Sequence, residues 1–156
     1  MINKIILASK SKVRKKILEE NQIECEVVPS NINEDSVKES LLKENASPET
    51  ISISLAELKA NKISQNRGGE LVLGADSVID LKGKIISKPN NRVDAFKILN
   101  SLNGQTHHLI SSVCISQNGS MIWNYSDKAS LTMKQMSKKE LQTYLGKISD
   151  EALYAY

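Results

Sequence analysis

Aromatic side chains are scarce in this sequence: Phe, Trp and Tyr together make up 4% of it. A protein that holds single-stranded nucleic acid by stacking bases on exposed rings needs more of them, so a stacking platform is excluded. An excess of one charge is also missing. The 21 Lys and Arg are set against 18 Asp and Glu, a formal charge of +3, and the lysines are scattered among acids. The basic footprint of a dedicated nucleic-acid binder is therefore absent. Only two cysteines occur, Cys25 and Cys114. They are far apart, with no CxxC spacing and no histidine cluster, which argues against a zinc site and a disulfide scaffold and fits a reducing, cytoplasmic setting. No apolar run is long enough to span a bilayer, and the stretch Met1 to Ala8 is too short for a signal peptide and reads as a first strand. A Rossmann-type cofactor domain is set aside because no GxGxxG is present. No linker interrupts the 156 residues, so the expectation is one domain over 1–156, large enough to bury a core.

What the sequence does contain is an apolar strand with an acid inside it: Leu71-Val72-Leu73-Gly74-Ala75-Asp76-Ser77-Val78-Ile79-Asp80. Such runs usually lie within a sheet covered on both faces. Gly74 and Ala75 leave room for a ligand or another backbone to come close. A buried carboxylate without a partner is costly, so Asp76 should meet a cation, a metal ion or a hydrogen-bond donor. Asp80 lies about 13 Å further along an extended strand, too far to share one ion easily. It reads instead as the start of the turn Asp80-Leu81-Lys82-Gly83. A purely structural acid at position 76 is the competing reading.

Basic groups recur elsewhere in the chain. Ile5 to Ala8 run into a helical pattern with Val13, Ile17 and Leu18 on one side, capped by Ser9 or Ser11. Lys12, Arg14, Lys15 and Lys16 crowd the first turns, where the helix dipole prefers acids. Serine hydroxyls, free N–H groups and an arginine at a helix mouth make a phosphate pocket; a solvated basic face is the alternative. After a short strand, 24–29, comes the polar loop Ser30-Asn31-Ile32-Asn33-Glu34-Asp35, which offers hard oxygen ligands or a cap for the helix after it. Pro48 lies in the first turn of a longer helix reaching about Asn66. On it Lys59 has Leu55, Ala56 and Ile63 as surface neighbours, so it snorkels or points at something negative. Lys88 precedes Pro89 and is held extended at a strand end, either functional or merely solvated. Arg92 to Leu102 reads as a helix ended by Asn103-Gly104. Thr106 to Gln117 and Ser120 to Lys134 read as strands joined at Asn118-Gly119. His107 and His108 are adjacent and point to opposite faces, so they do not share one metal. Ser137 to Glu140 is a capping box.

The ordered phrases Leu7-Ala8-Ser9-Lys10-Ser11 with Arg14, Asn33-Glu34, Leu55-Ala56 with Lys59-Ala60, Gly74 to Val78, Lys88-Pro89 and Gly104 to His107 resemble the Maf family of nucleoside triphosphate pyrophosphatases. The resemblance implies a three-layer α/β fold, a mixed β-sheet flanked by helices, of the kind shared with inosine triphosphate pyrophosphatases and often assembled as a homodimer. It implies hydrolysis of a nucleoside triphosphate to the monophosphate and pyrophosphate with a divalent metal, Mg²⁺ or Mn²⁺. Asp76 would be general base or metal anchor and Glu34 the second acid, the two forming the metal site. Ser9, Ser11, Arg14, Lys59 and Lys88 would hold the triphosphate substrate. Three departures stand out. Asn33 replaces an acid and keeps an oxygen ligand. Val13 and Ser77 occupy positions that separate the branch acting on dTTP and UTP from the branch acting on 7-methyl-GTP, and match neither fully, with Ser77 nearer the first. Family members also continue past the phrase that Ala155 and Tyr156 begin, so a fragment lacking the C-terminal part of the domain is expected. The alternative function is a non-catalytic nucleotide-binding or cell-division-regulating interaction protein.

Overall fold

The computed structural model describes residues 4–154, so the start of the expected first strand at Met1 to Asn3 and the final Ala155 and Tyr156 lie outside the described residues. The order is β1 (Ile5–Leu7), α1 (Lys12–Glu20), β2 (Cys25–Val27), α2 (Glu34–Lys43), α3 (Pro48–Ser64), β3 (Val72–Leu81), β4 (Lys84–Ile86), α4 (Arg92–Leu102), β5 (Thr106–Gln117), β6 (Ser120–Thr132), α5 (Lys138–Lys147) and α6 (Asp150–Leu153). The strand order is β2-β1-β3-β5-β6, with β4 paired to β3. β1 runs parallel to β2 and to β3, and β4 is antiparallel to β3. This is a mixed α/β fold, a sheet flanked by helices. Among the described residues no helix is long and apolar enough to cross a membrane.

Two compact units divide the chain, residues 4–77 with 110–127 and residues 78–109 with 128–154. In the first unit, α3 buries Ile51, Leu55, Ala56, Lys59 and Ala60. Ala56 and Ala60 join Ile6, Ala8, Val72 and Cys114 in one apolar cluster. The small residues here are needed for contact. A Cβ added to Gly74 would run into the Ala56 carbonyl oxygen and come within 2.9 Å of the Ala60 Cβ. The room left by Gly74 is thus taken by the backbone of α3, one of the two occupants the sequence allowed. The buried positions of β5 in this unit, Ile110, Ser112, Cys114 and Ser116, follow the period of two that a strand with one covered face requires.

In the second unit the chain turns sharply at Lys82 and Gly83, with φ of 52° and 83°, and the Gly83 N–H donates to Asp80 Oδ1 at 2.7 Å. This is the turn role expected of Asp80. Ala95, Leu102, Leu141 and Leu145 are buried. Arg92 holds the end of α5, donating to the Leu145 and Ile148 carbonyls at 2.9 and 2.8 Å and to Asp150 at 2.7 Å. The capping box of Ser137 and Glu140 forms as its spacing requires.

Val13 and Ile17 of α1 are half exposed, and the helix buries no residue fully. The strand after Gly119 ends at Thr132 rather than Lys134, and every position but Met121 is exposed. Alternation of apolar residues marks a strand that can pack, and it does not supply the layer to pack against.

Candidate functional site

Six of the seven residues expected to act on phosphates or water lie in the first unit. Ser11 is the N-cap of α1, its hydroxyl accepting from the Arg14 N–H at 3.3 Å. Ser9, buried at the end of β1, accepts from the Ser11 N–H and from Arg14 Nη1, both at 3.2 Å. The guanidinium is therefore folded back over the helix mouth. Lys15 and Lys16 instead form exposed pairs with Glu19 and Glu20 one turn on, at 3.3 and 3.6 Å. Arg14 feels the charges of Asp76 and Glu34. Burial lowers the Arg14 pKa from its ordinary value, and the two acids oppose that shift.

Asp76 and Lys59 form the centre of the arrangement. Lys59 Nζ lies 2.9 Å from Asp76 Oδ1 and 3.0 Å from Glu34 Oε1, and the Lys59 and Asp76 side chains are each 5% exposed. The same nitrogen donates to the Ala75 carbonyl at 3.3 Å. Two of its protons go to Asp76 and the Ala75 carbonyl, and Glu34 is held as an ion pair. The unusual lysine on the apolar side of α3 thus points at acids rather than snorkelling to solvent. Lys62, its less favoured neighbour, reaches out to the Asn31 carbonyl at 3.3 Å. Removing one partner of such a buried pair costs about 3–5 kcal/mol, because the other charge stays in place without water.

Burial raises the Asp76 pKa above the ordinary aspartate value; Lys59 opposes this most, Lys38 less, and Glu34 adds to the rise. A carboxylate of raised pKa takes up a proton more readily, which suits a general base. Its second oxygen, Oδ2, is buried and has no hydrogen-bond partner among the described residues. An orphaned buried carboxylate oxygen beside a second carboxylate is a donor set for a hard divalent cation. Among the described residues no group of three or more His, Cys, Asp or Glu side chains gathers for a metal. Mg²⁺ is commonly held by one or two carboxylates together with substrate phosphates, so Asp76 and Glu34 fit such an ion. The Asn33 Oδ1 caps α2 by accepting from the Ser36 N–H at 3.1 Å.

The remaining expected residues stand elsewhere. Ser77 follows Asp76 on β3 and so faces the other side of the strand, where its hydroxyl meets that of Ser111 at 2.9 Å. Val13 is half exposed on α1. Lys88 is exposed just beyond β4 and belongs to the second unit, as do both histidines. His108 Nδ1 is 4.0 Å from Asp80 Oδ2, and His107 Nδ1 is buried with no partner among the described residues.

Two residues were not anticipated. Ser52 is fully buried and donates to the Asp76 carbonyl at 3.2 Å, with the Ile110 carbonyl at 3.5 Å. A lone serine seven residues before Lys59, among the apolar residues of one helix face, was the available clue. Lys38 contributes its charge to Asp76; its clue was its place one helical turn after Glu34.

The chain has relatives among known proteins. The family model described as Maf-like protein matches residues 4–153. A nucleoside triphosphate pyrophosphatase of Pelagibacter ubique is 70% identical over 156 residues, covering 100% of this chain and 80% of the relative. A 7-methyl-GTP pyrophosphatase of Brucella abortus is 33% identical over 153 residues, 98% of this chain and 77% of the relative. In fold, the chain resembles a HAM1 protein from Coxiella burnetii with a TM-score of 0.50 at 15% identity, over 82% of this chain and 70% of that one. With a family match over nearly its whole length, the chain belongs to the Maf-like protein family.

Proposed function

We propose that this chain is a nucleoside triphosphate pyrophosphatase, hydrolysing the bond between the α and β phosphates with the help of a divalent cation. The observation that carries the reading is the joining of Asp76 and Glu34 on the Lys59 ammonium, within the field of Arg14. The names of relatives at 70% and 33% identity support the same reaction class. In this reading Asp76 accepts a proton from water as the water oxygen bonds to the α phosphorus. The bond from that phosphorus to the bridging oxygen breaks, and its electron pair leaves on pyrophosphate. Arg14, with the Ser9 and Ser11 hydroxyls and the N–H groups at the mouth of α1, receives phosphate oxygens. Lys59 supplies further positive charge to the departing pyrophosphate. Mg²⁺ or Mn²⁺ held by Asp76 and Glu34 would supply Lewis-acid neutralisation of the phosphate oxygens.

The test is pyrophosphate release from a panel that includes dTTP, UTP and 7-methyl-GTP, with Mg²⁺ or Mn²⁺. Asp76→Asn is expected to lower kcat by about 100-fold or more, the usual weight of a lost general base. An unchanged rate in the variant would refute the assignment. Tight triphosphate binding without release would leave a nucleotide-binding protein in its place.

A further inference from the structure

We infer that Lys59 is an exchangeable internal cation, holding Asp76 and Glu34 together until a divalent cation replaces it between them and its ammonium passes to the phosphates of the substrate. This deepens the proposed function and rests on it. The ammonium lies 2.9 Å from one acid and 3.0 Å from the other, the position from which one positive ion serves both. A divalent ion drawn to the free Asp76 Oδ2 would meet that buried positive charge at close range, and like charges repel strongly where water is absent. The lysine stem has four flexible carbons, so the head can move while α3 stays in place. What holds it back is its bonding: it donates to Asp76 and the Ala75 carbonyl and pairs with Glu34, and leaving the acids is costly without another anion to receive the charge. A triphosphate is such an anion. Metal and triphosphate therefore enter together, each lowering the cost of the other, and the coupling between them is reciprocal. Lys59 then acts in two stages: it positions the acids in the free protein and binds phosphate in the loaded one.

The experiment measures Mn²⁺ alone, by electron paramagnetic resonance of the free ion, against the full chain and Lys59→Met at neutral to alkaline pH. The variant is expected to bind Mn²⁺ about tenfold more tightly, within the range typical of coupled sites. Equal or weaker binding by a folded variant overturns the inference. A second measurement needs no variant: reductive methylation of Lys59, read by mass spectrometry, should speed up in wild-type protein when Mn²⁺ saturates it, and an unchanged rate again overturns the exchange. Pyrophosphate release by the same wild-type preparation separates the two readings. Release with equal Mn²⁺ affinities removes the exchange alone, whereas no release removes the reaction on which it rests.

Discussion

At the scale of single residues, the cost of burying polar atoms organises the site. Ser52 has no access to solvent, and its hydroxyl is spent on the Asp76 carbonyl in β3, with the Ile110 carbonyl of β5 within 3.5 Å. It steadies the backbone from which the Asp76 side chain projects. Ser52→Ala is expected to lower stability by about 1–2 kcal/mol, the usual cost of losing such a buried bond. Urea unfolding of the two proteins checks this, and an indistinguishable midpoint would mean that the hydroxyl is not holding the strands. Asp76 and Lys59 were legible as partners in need because each is a charge among apolar residues. Ser52 was not, because a serine on a helix face is unremarkable until the strand beneath it is known.

At the scale of elements, local chemistry settles where helices begin. Ser11, Asn33, Ser47, Asn91 and Ser137 each accept a backbone N–H three residues on. Caps of this kind depend on residues a few positions apart and can be read without a fold. Helix α4 and strand β5 have the limits expected from periodicity and from Asn103-Gly104. The closeness of α3 to β3 is different, since it depends on Gly74 meeting Ala56 across eighteen residues of chain. Gly74→Ala places a methyl group against a backbone carbonyl, which does not rotate out of the way as a side chain could. The expected loss is about 3 kcal/mol, at the upper end of overpacking costs, and a thermal melt measures it. A melting temperature equal to that of wild type would show that α3 can rise from the sheet without penalty.

At the scale of the whole molecule, long-range charge pairing sets the response to acid. Arg67 grips both oxygens of Glu26 at 3.0 and 2.9 Å and reaches Glu70 at 2.6 Å, while Lys4 lies 3.3 Å from Glu26. The Arg67 and Lys4 hydrogen bonds hold the Glu26 pKa down to about 2 from its ordinary 4.5. A carboxylate whose pKa falls on folding stabilises the fold fully above its ordinary value, and that contribution is lost as the pH drops toward the folded one. Glu26→Gln should therefore melt below wild type at neutral pH, and the gap should narrow as the pH falls from 4.5 toward about 2. A gap that is constant with pH would show that the pair does not act through charge. The sequence by itself determined the elements, the caps, the acid in the central strand and the cations that had to answer it, because each depends on neighbours within a turn or on the cost of burying a charge. Only the tertiary structure decided that Lys59 answers both acids and that α3 takes the room beside Gly74. Those outcomes depend on which segments meet in space, and side chains distant in sequence carry no local mark of the contacts that folding will give them.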